Sequence, residues 1–308
     1  MQKKKNIFLL ISFVVLAIAC VVTYFSIHAD SSLNVDTGLF KVDDFKTIDR
    51  IVMKTQQRNV ELNFADNRWS VNGRYPADRN LVDVLFATLQ QAVPKRPVAA
   101  RLRDSISNEL EKSGTHVSLY SGNELKKEFL AGGNAQRTQA YFREVNGKTP
   151  YIVTIPGYRV YTSGILELDE NGWRDKHIFV IDWQKFKKLT ATFPRDSKKN
   201  FTVVMKNRVP EIEGLAEADT SRLYTFMDDV SLLTADEFAS NADSLKNSQP
   251  IMQISIEDIA SRNYSVEFFS KLPQSNQFPG LVQGTDPALF DGRKVERVLK
   301  SREYFLGK

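Results

Sequence analysis

The chain has 308 residues, enough for one large domain or two ordinary ones, and its 42% apolar and 26% charged content excludes a disordered polymer in favour of a globular body with a real core. The net charge is +5, but Lys3, Lys4 and Lys5 supply three of those charges. The small remainder is too little to argue for nucleic-acid binding, which wants a concentrated basic face, and the single cysteine, Cys20, excludes an intrachain disulfide.

The three lysines precede an uncharged run from Ile7 to Ile27. A bilayer core of about 30 Å takes about 20 helical residues, so this run is expected to span the inner membrane as one helix. Lysines before it place the N-terminus in the cytoplasm and the body in the periplasm or extracytoplasmic space. A cleaved signal peptide has a shorter apolar region, about 7–15 residues. The stretch Val15-Leu-Ala-Ile-Ala-Cys20 is similar to a lipoprotein box, which leaves a lipoprotein anchored through Cys20 as the alternative. The apolar continuation through Val21, Val22, Tyr24, Phe25 and Ile27 favours the retained anchor. Residues 1–28 are assigned to the tail and anchor and the polar residues 29–37 to a tether.

The first α+β unit is assigned to residues 38–172. Val60-Glu-Leu-Asn-Phe64 alternates with period two, as a half-buried strand does. Asp66-Asn67 and Asn72-Gly73 are hairpin turn signals on either side of Arg68-Trp-Ser-Val71. Asp78 stands where a helix N-cap is needed, and Leu81, Val82, Leu85, Phe86 and Leu89 follow helical spacing. A second, more polar helix is expected over Arg101–Lys112, stopped by Gly114. Two hairpins follow, with turns at Ser121-Gly122-Asn123 and Asn146-Gly147. Gly132-Gly133 opens what reads as a mobile polar connector between them.

The second unit is assigned to residues 173–308, because the pattern of Phe45–Gln91 returns without a gap at Phe186–Leu232. Ile48 falls on Leu189, Leu62 on Val203, Gly73 on Gly214 and Ala77-Asp78 on Ala218-Asp219. Strands are expected at Ile178–Val180, Phe186–Phe193, Phe201–Met205 and Glu211–Glu213, a helix at about Thr220–Leu233, and a hairpin from Ile254 to Phe269. The tail Phe290–Phe305 has helical spacing. The fold expected is α+β: an N-terminal transmembrane helix followed by two repeated βββα-type units with antiparallel strands.

Three motifs, Trp69-Ser-Val71, Pro76-Ala-Asp78 and Trp173-Arg-Asp-Lys-His-Ile-Phe179, resemble those of the DUF4340 family. The resemblance implies repeated α+β units, a single anchor, no established activity and no catalytic residues to carry over. It also implies a partner class, since members accompany envelope export or gliding-auxiliary components. In the second unit Pro210 stands in place of Trp69 and Glu217 in place of Pro76.

No sequence signal points to catalysis, and no cofactor is expected. His28, His116 and His177 lack metal-ligand spacing. Glu167-Leu-Asp169-Glu-Asn171-Gly172 is similar to the first half of a calcium loop, but the bidentate twelfth position falls on Ile178, so it reads as an acidic turn. Asp228-Asp229 reads as a solvated helix face. The cluster Trp173, Arg174, Asp175, with Tyr158 and Tyr161 shortly before it, is the candidate for ligand or partner contacts; the bland alternative is a junction in which Trp173 packs between units.

The function expected is that of a non-catalytic accessory or assembly protein of the envelope with a protein partner. The alternative is a glycan- or peptide-binding module using an inter-unit cleft and the aromatics from Tyr141 to Tyr161. A hydrolase with an unrecognised site is the third reading.

Overall fold

The computed structural model describes residues 12–23, 35–42, 44–180, 183–239, 245 and 248–306. Helix α1 (residues 12–23) is exposed along its length. Among the described residues no helix is long and apolar enough to cross a membrane, and the expected span Ile7–Ile27 lies partly outside them. Contacts divide the chain into two compact units. The first holds the residues up to Asn67 together with Asn80–Glu167, and the second holds Arg68–Arg79 and the chain from Leu168 onward.

The division therefore falls at Glu167/Leu168 rather than at residue 173, and a segment of the early chain is grouped with the later one. Backbone hydrogen bonds account for that grouping. The Asp78 N–H donates to the Trp173 carbonyl at 2.9 Å and the Asp175 N–H to the Pro76 carbonyl at 2.9 Å, flanking a bridge between Ala77 and Arg174.

The early chain forms strands β1 (Arg50–Lys54), β2 (Asn59–Ala65), β3 (Arg68–Val71) and β4 (Tyr75–Pro76), then helix α2 (Arg79–Gln91). It continues with β5 (Val93–Pro97), α3 (Ala100–Ser113), β6 (Thr115–Ser121), β7 (Glu124–Gly133), β8 (Ala140–Glu144) and β9 (Tyr151–Thr154). Within the first unit the strands run in the order β2-β1-β6-β7-β8-β9-β5, each antiparallel to its neighbours. Period-two alternation sets the register. Ile51 and Met53 pair with Leu62 and Val60 on one side and with Leu119 and Val117 on the other, and all six are fully buried. Phe40 meets Phe129 and Phe142 edge-on at 5.7 and 5.4 Å, and such ring pairs add about 0.5–1.5 kcal/mol each beyond their burial.

Gly132 and Gly133 are not a loop: they end β7, paired with Tyr141 and Ala140. Their composition suggested a connector, but glycine also marks a strand position where a neighbour approaches closely.

The second unit contains the short helix α4 (Glu170–Trp173), strands β10 (Phe186–Thr192), β11 (Phe201–Lys206) and β12 (Val209–Ile212), and helix α5 (Thr220–Ser231). Then come β13 (Glu237–Phe238), β14 (Met252–Asp258), β15 (Asn263–Phe268), β16 (Gln277–Val282), β17 (Asp286–Asp291) and α6 (Gly292–Val298). The sheet order is β12-β11-β10-β14-β15-β16-β17-β13, antiparallel throughout. From β11 to β13 this is the same series of steps as β2-β1-β6-β7-β8-β9-β5. Asp219 caps α5 by accepting from the Arg222 N–H at 3.0 Å, and Leu223, Phe226, Met227 and Val230 form its buried face. In the tail the helical spacing is realised over α6 alone, Phe290 lies in β17, and Phe305 is buried 4.9 Å from Phe201 and 5.5 Å from Phe226.

Two details depart from the sequence reading. Ile51, not Ile48, takes the place of Leu189: Ile51 pairs with Leu62 as Leu189 pairs with Val203. The turn between β10 and β11 is longer than that between β1 and β2, so an ungapped match slips. Residues Ile178 to Val180 form no strand, although Ile178 and Phe179 are buried; beside them an isolated bridge joins His177 to Thr234.

Candidate functional site

In the first unit a cavity of about 400 Å³ opens where α3 meets the end of β7. Its floor is apolar, made by Ile106 and Leu110 of α3 with Ala131, Gly132 and Gly133 of β7. A methyl group on Gly133 would collide with the Tyr161 phenol and come within 2.6 Å of the Gln139 carbonyl, so bare backbone is what admits the ring. The Ser163 hydroxyl fixes the segment from the other side by donating to the Gly132 carbonyl at 2.6 Å.

The cavity wall is polar. Arg58 donates to the Thr115 hydroxyl at 3.0 Å, to the Leu166 carbonyl at 3.0 Å and to the Glu167 carbonyl, which pins the turn that carries Glu167. The Glu167 carboxylate accepts from the Tyr161 hydroxyl on one oxygen, and Arg137 stands 3.4 Å from the other. Burial, and then the hydrogen bond to Glu167, push the Tyr161 phenol well above its ordinary value, so it stays a donor. The Tyr141 phenol is also raised, by burial first and then by the charge of Glu109.

Arg137 adopts φ +54°, a left-handed conformation that is uncommon for a side-chain-bearing residue. Its loop is held by Asn134, whose side-chain oxygen accepts from the Thr138 and Gln139 N–H groups at 2.8 and 2.9 Å.

The five residues singled out from the sequence fall in different places. Tyr161 lines the cavity, whereas Tyr158 is 65% exposed and is not among the lining residues. Trp173, Arg174 and Asp175 belong to the second unit. Trp173 is fully buried, and its indole N–H has no hydrogen-bond partner among the described residues. The Arg174 guanidinium lies between the rings of Tyr75 and Phe238, 3.5 and 3.6 Å from their centres, and pairs with Asp286 at 3.1 Å. Burial lowers its affinity for the proton and the Asp286 charge opposes that shift. Asp175 accepts from the His177 N–H at 3.0 Å and meets its Nδ1 at 2.7 Å. All three side chains are thus engaged or enclosed within their own unit.

The acidic turn spreads its oxygens among separate partners. Asp169 caps the Gly172 N–H at 2.7 Å, Glu170 accepts from Asn72, and Glu167 faces Tyr161. Among the described residues no group of three His, Cys, Asp or Glu side chains could hold a metal ion. Arg58, Glu109 and Arg137 were not singled out from the sequence. The only local signal for their convergence was Gly132-Gly133.

The second unit carries a larger, more apolar groove of about 700 Å³ lined by Trp183, Phe186, Met205, Pro210, Tyr224 and Met227, with Arg208 and Asp228 also on its wall. Tyr224 is 49% exposed there.

No curated protein and no solved structure matches the chain. The family model described as "Domain of unknown function (DUF4340)" does match, over residues 68–250. That match takes in Trp69-Ser-Val71, Pro76-Ala-Asp78 and the Trp173 motif and extends over more than half of the chain, which belongs to the DUF4340 family.

Proposed function

We propose that the chain is a membrane-anchored, extracytoplasmic accessory or assembly protein of the cell envelope, non-catalytic, which docks a protein partner of a transport or gliding-type complex. The run Ile7–Ile27 behind Lys3–Lys5 supports an inner-membrane anchor with its N-terminus in the cytoplasm. The matching strand orders support a duplicated βββα-type scaffold.

The observation that carries the docking role is the apolar groove of the second unit, with Tyr224 half exposed at it. Exposed apolar surface with a polar surround fits an apolar segment of a partner protein. Strand addition does not fit. In edge strand β12 the Glu213 N–H points to Thr202 of β11, so by alternation the N–H positions facing outward are those of Ile212 and Pro210, and proline has none. The partner is therefore expected to insert side chains.

The test is a photo-crosslinking residue placed at Tyr224 in living cells, followed by detergent extraction and identification of the adduct. One envelope protein in fixed proportion supports docking. Recovery of the uncrosslinked chain alone, with its fold intact, removes it.

A second reading, a glycan- or peptide-binding module, is favoured by one observation: Tyr141 and Tyr161 line the same cavity of the first unit. Of the five sequence candidates, Tyr161 is the one carried forward as a ligand contact. Saturation-transfer NMR on the full-length protein in micelles tests it, and absence of transfer to any sugar or peptide counts against it.

A further inference from the structure

We infer that the Tyr141–Tyr161 cavity of the first unit is a saccharide site, without a counterpart among the described residues of the second unit, taking an uncharged, hydroxyl-rich ligand of one or two rings. The inference rests on the binding-module reading and gives it a ligand class.

The two units differ at this level. Phe129 pairs with Val117 as Val266 pairs with Ile254, so Phe269 and Ser270 follow β15 where Gly132 and Gly133 end β7. A buried phenyl ring thus takes the place of a glycine. Helix α3 has no counterpart among the described residues between β13 and β14. The depression of the second unit at this level is lined by Phe269, Leu272, Pro279 and Leu289, and among the described residues it offers no phenol–carboxylate pair.

The chemistry of the first cavity selects the ligand. Glu167 receives Tyr161 on one oxygen and faces Arg137 with the other, so each oxygen keeps a lone pair for a ligand hydroxyl. Arg137 is 72% exposed and held by a loop in left-handed conformation, a donor set beside an acceptor at the rim. Neighbouring donors and acceptors match vicinal hydroxyls. The rings of Tyr141 and Tyr161 with Ile106 and Leu110 match the C–H faces of a sugar.

Other classes fit less well. Two arginines and two glutamates line the cavity, so no net charge draws in a phosphate or carboxylate. A peptide cannot add as a strand, because β7 is already paired on both sides. About 400 Å³ sits at the small end of ligand sites, which run to about 1,000 Å³.

The test uses the full-length protein in detergent micelles, with glucose, N-acetylglucosamine and cellobiose as probes and inorganic phosphate and trialanine as competitors, read by saturation-transfer NMR and calorimetry. Saturable binding of a saccharide is expected. Tyr141→Ala should weaken it about tenfold, the size of one lost stacking contact, and Tyr161→Phe about two- to tenfold for one hydrogen bond. Tyr224→Ala should leave it unchanged, and circular dichroism checks that each variant is folded. Phosphate or trialanine binding without saccharide overturns the ligand class while the cavity stands as a site. Saccharide binding indifferent to both tyrosine variants overturns the location. No binding by any probe overturns the inference and the module reading together, and leaves docking at Tyr224 untouched.

Discussion

Replacing Arg174 with methionine keeps an apolar stem between Tyr75 and Phe238 but removes the cation. The guanidinium is 8% exposed, stacked at 3.5 and 3.6 Å on the two rings and 3.1 Å from Asp286. The two cation–π contacts, about 2 kcal/mol each, are largely cancelled by the desolvation cost of the cation and by the sulfur–ring contacts methionine keeps. Breaking a buried ion pair costs about 3–5 kcal/mol in total, because the remaining charge loses its partner. Asp286 keeps the Tyr75 hydroxyl at 3.3 Å and has Arg74 at 3.9 Å, which holds the loss toward about 3 kcal/mol. At about 2–4 °C per kcal/mol, the transition of the second unit should fall by roughly 6–12 °C in scanning calorimetry. The loss should persist in about 1 M salt, since buried pairs are little screened. Adding Asp286→Asn should recover part of it by removing the stranded carboxylate. A loss under about 1 kcal/mol, or one abolished by salt, would refute the view of Arg174 as an internal structural cation and restore it as a surface contact.

Gly133→Ala should destabilise the first unit by about 1–3 kcal/mol and displace the Tyr161 ring, measurable as a lower denaturant midpoint and a changed near-ultraviolet spectrum. Because folding raises the Tyr161 phenol above its unfolded value of about 10, its contribution is complete below that pH. The contribution is lost as the pH climbs past it toward the folded value. Alkaline melts of wild type should therefore lose stability that Tyr161→Phe does not have to lose. If the anchor is retained, intact mass will include Met1–Ile27, and cells fed labelled palmitate will leave Cys20 unlabelled; a labelled, shortened chain would establish the lipoprotein form instead.

Much of the scaffold was legible because it rests on local periodicity. The alternation in Val60–Phe64, the helical spacing of Leu223, Phe226, Met227 and Val230, and the turn pair Asn72-Gly73, both residues at positive φ, each follow from their own neighbours. The duplicated pattern was legible for the same reason, save for the slip at Ile48, where a turn of different length shifted the register. The candidate cavity was not. Arg58, Glu109, Arg137 and Glu167 come from four separated segments, and only Glu167 sits in a recognisable pattern, an acidic turn that points to other chemistry. The Trp173 cluster is conspicuous in composition, and the structure places a buried Trp and a ring-flanked Arg there, as the junction reading has it for Trp173 packing.

By itself the sequence determined the α+β class, the antiparallel hairpins, the doubled pattern and the family, because apolar spacing and turn chemistry act over a few residues. Only the tertiary structure decided that residues 68–79 join the second unit, that Gly132 and Gly133 end a strand beneath Tyr161, and that Arg174 points inward between two rings. Those outcomes depend on which distant side chains meet, and burial, charge pairing and steric room are settled there by packing that no short stretch of chain encodes.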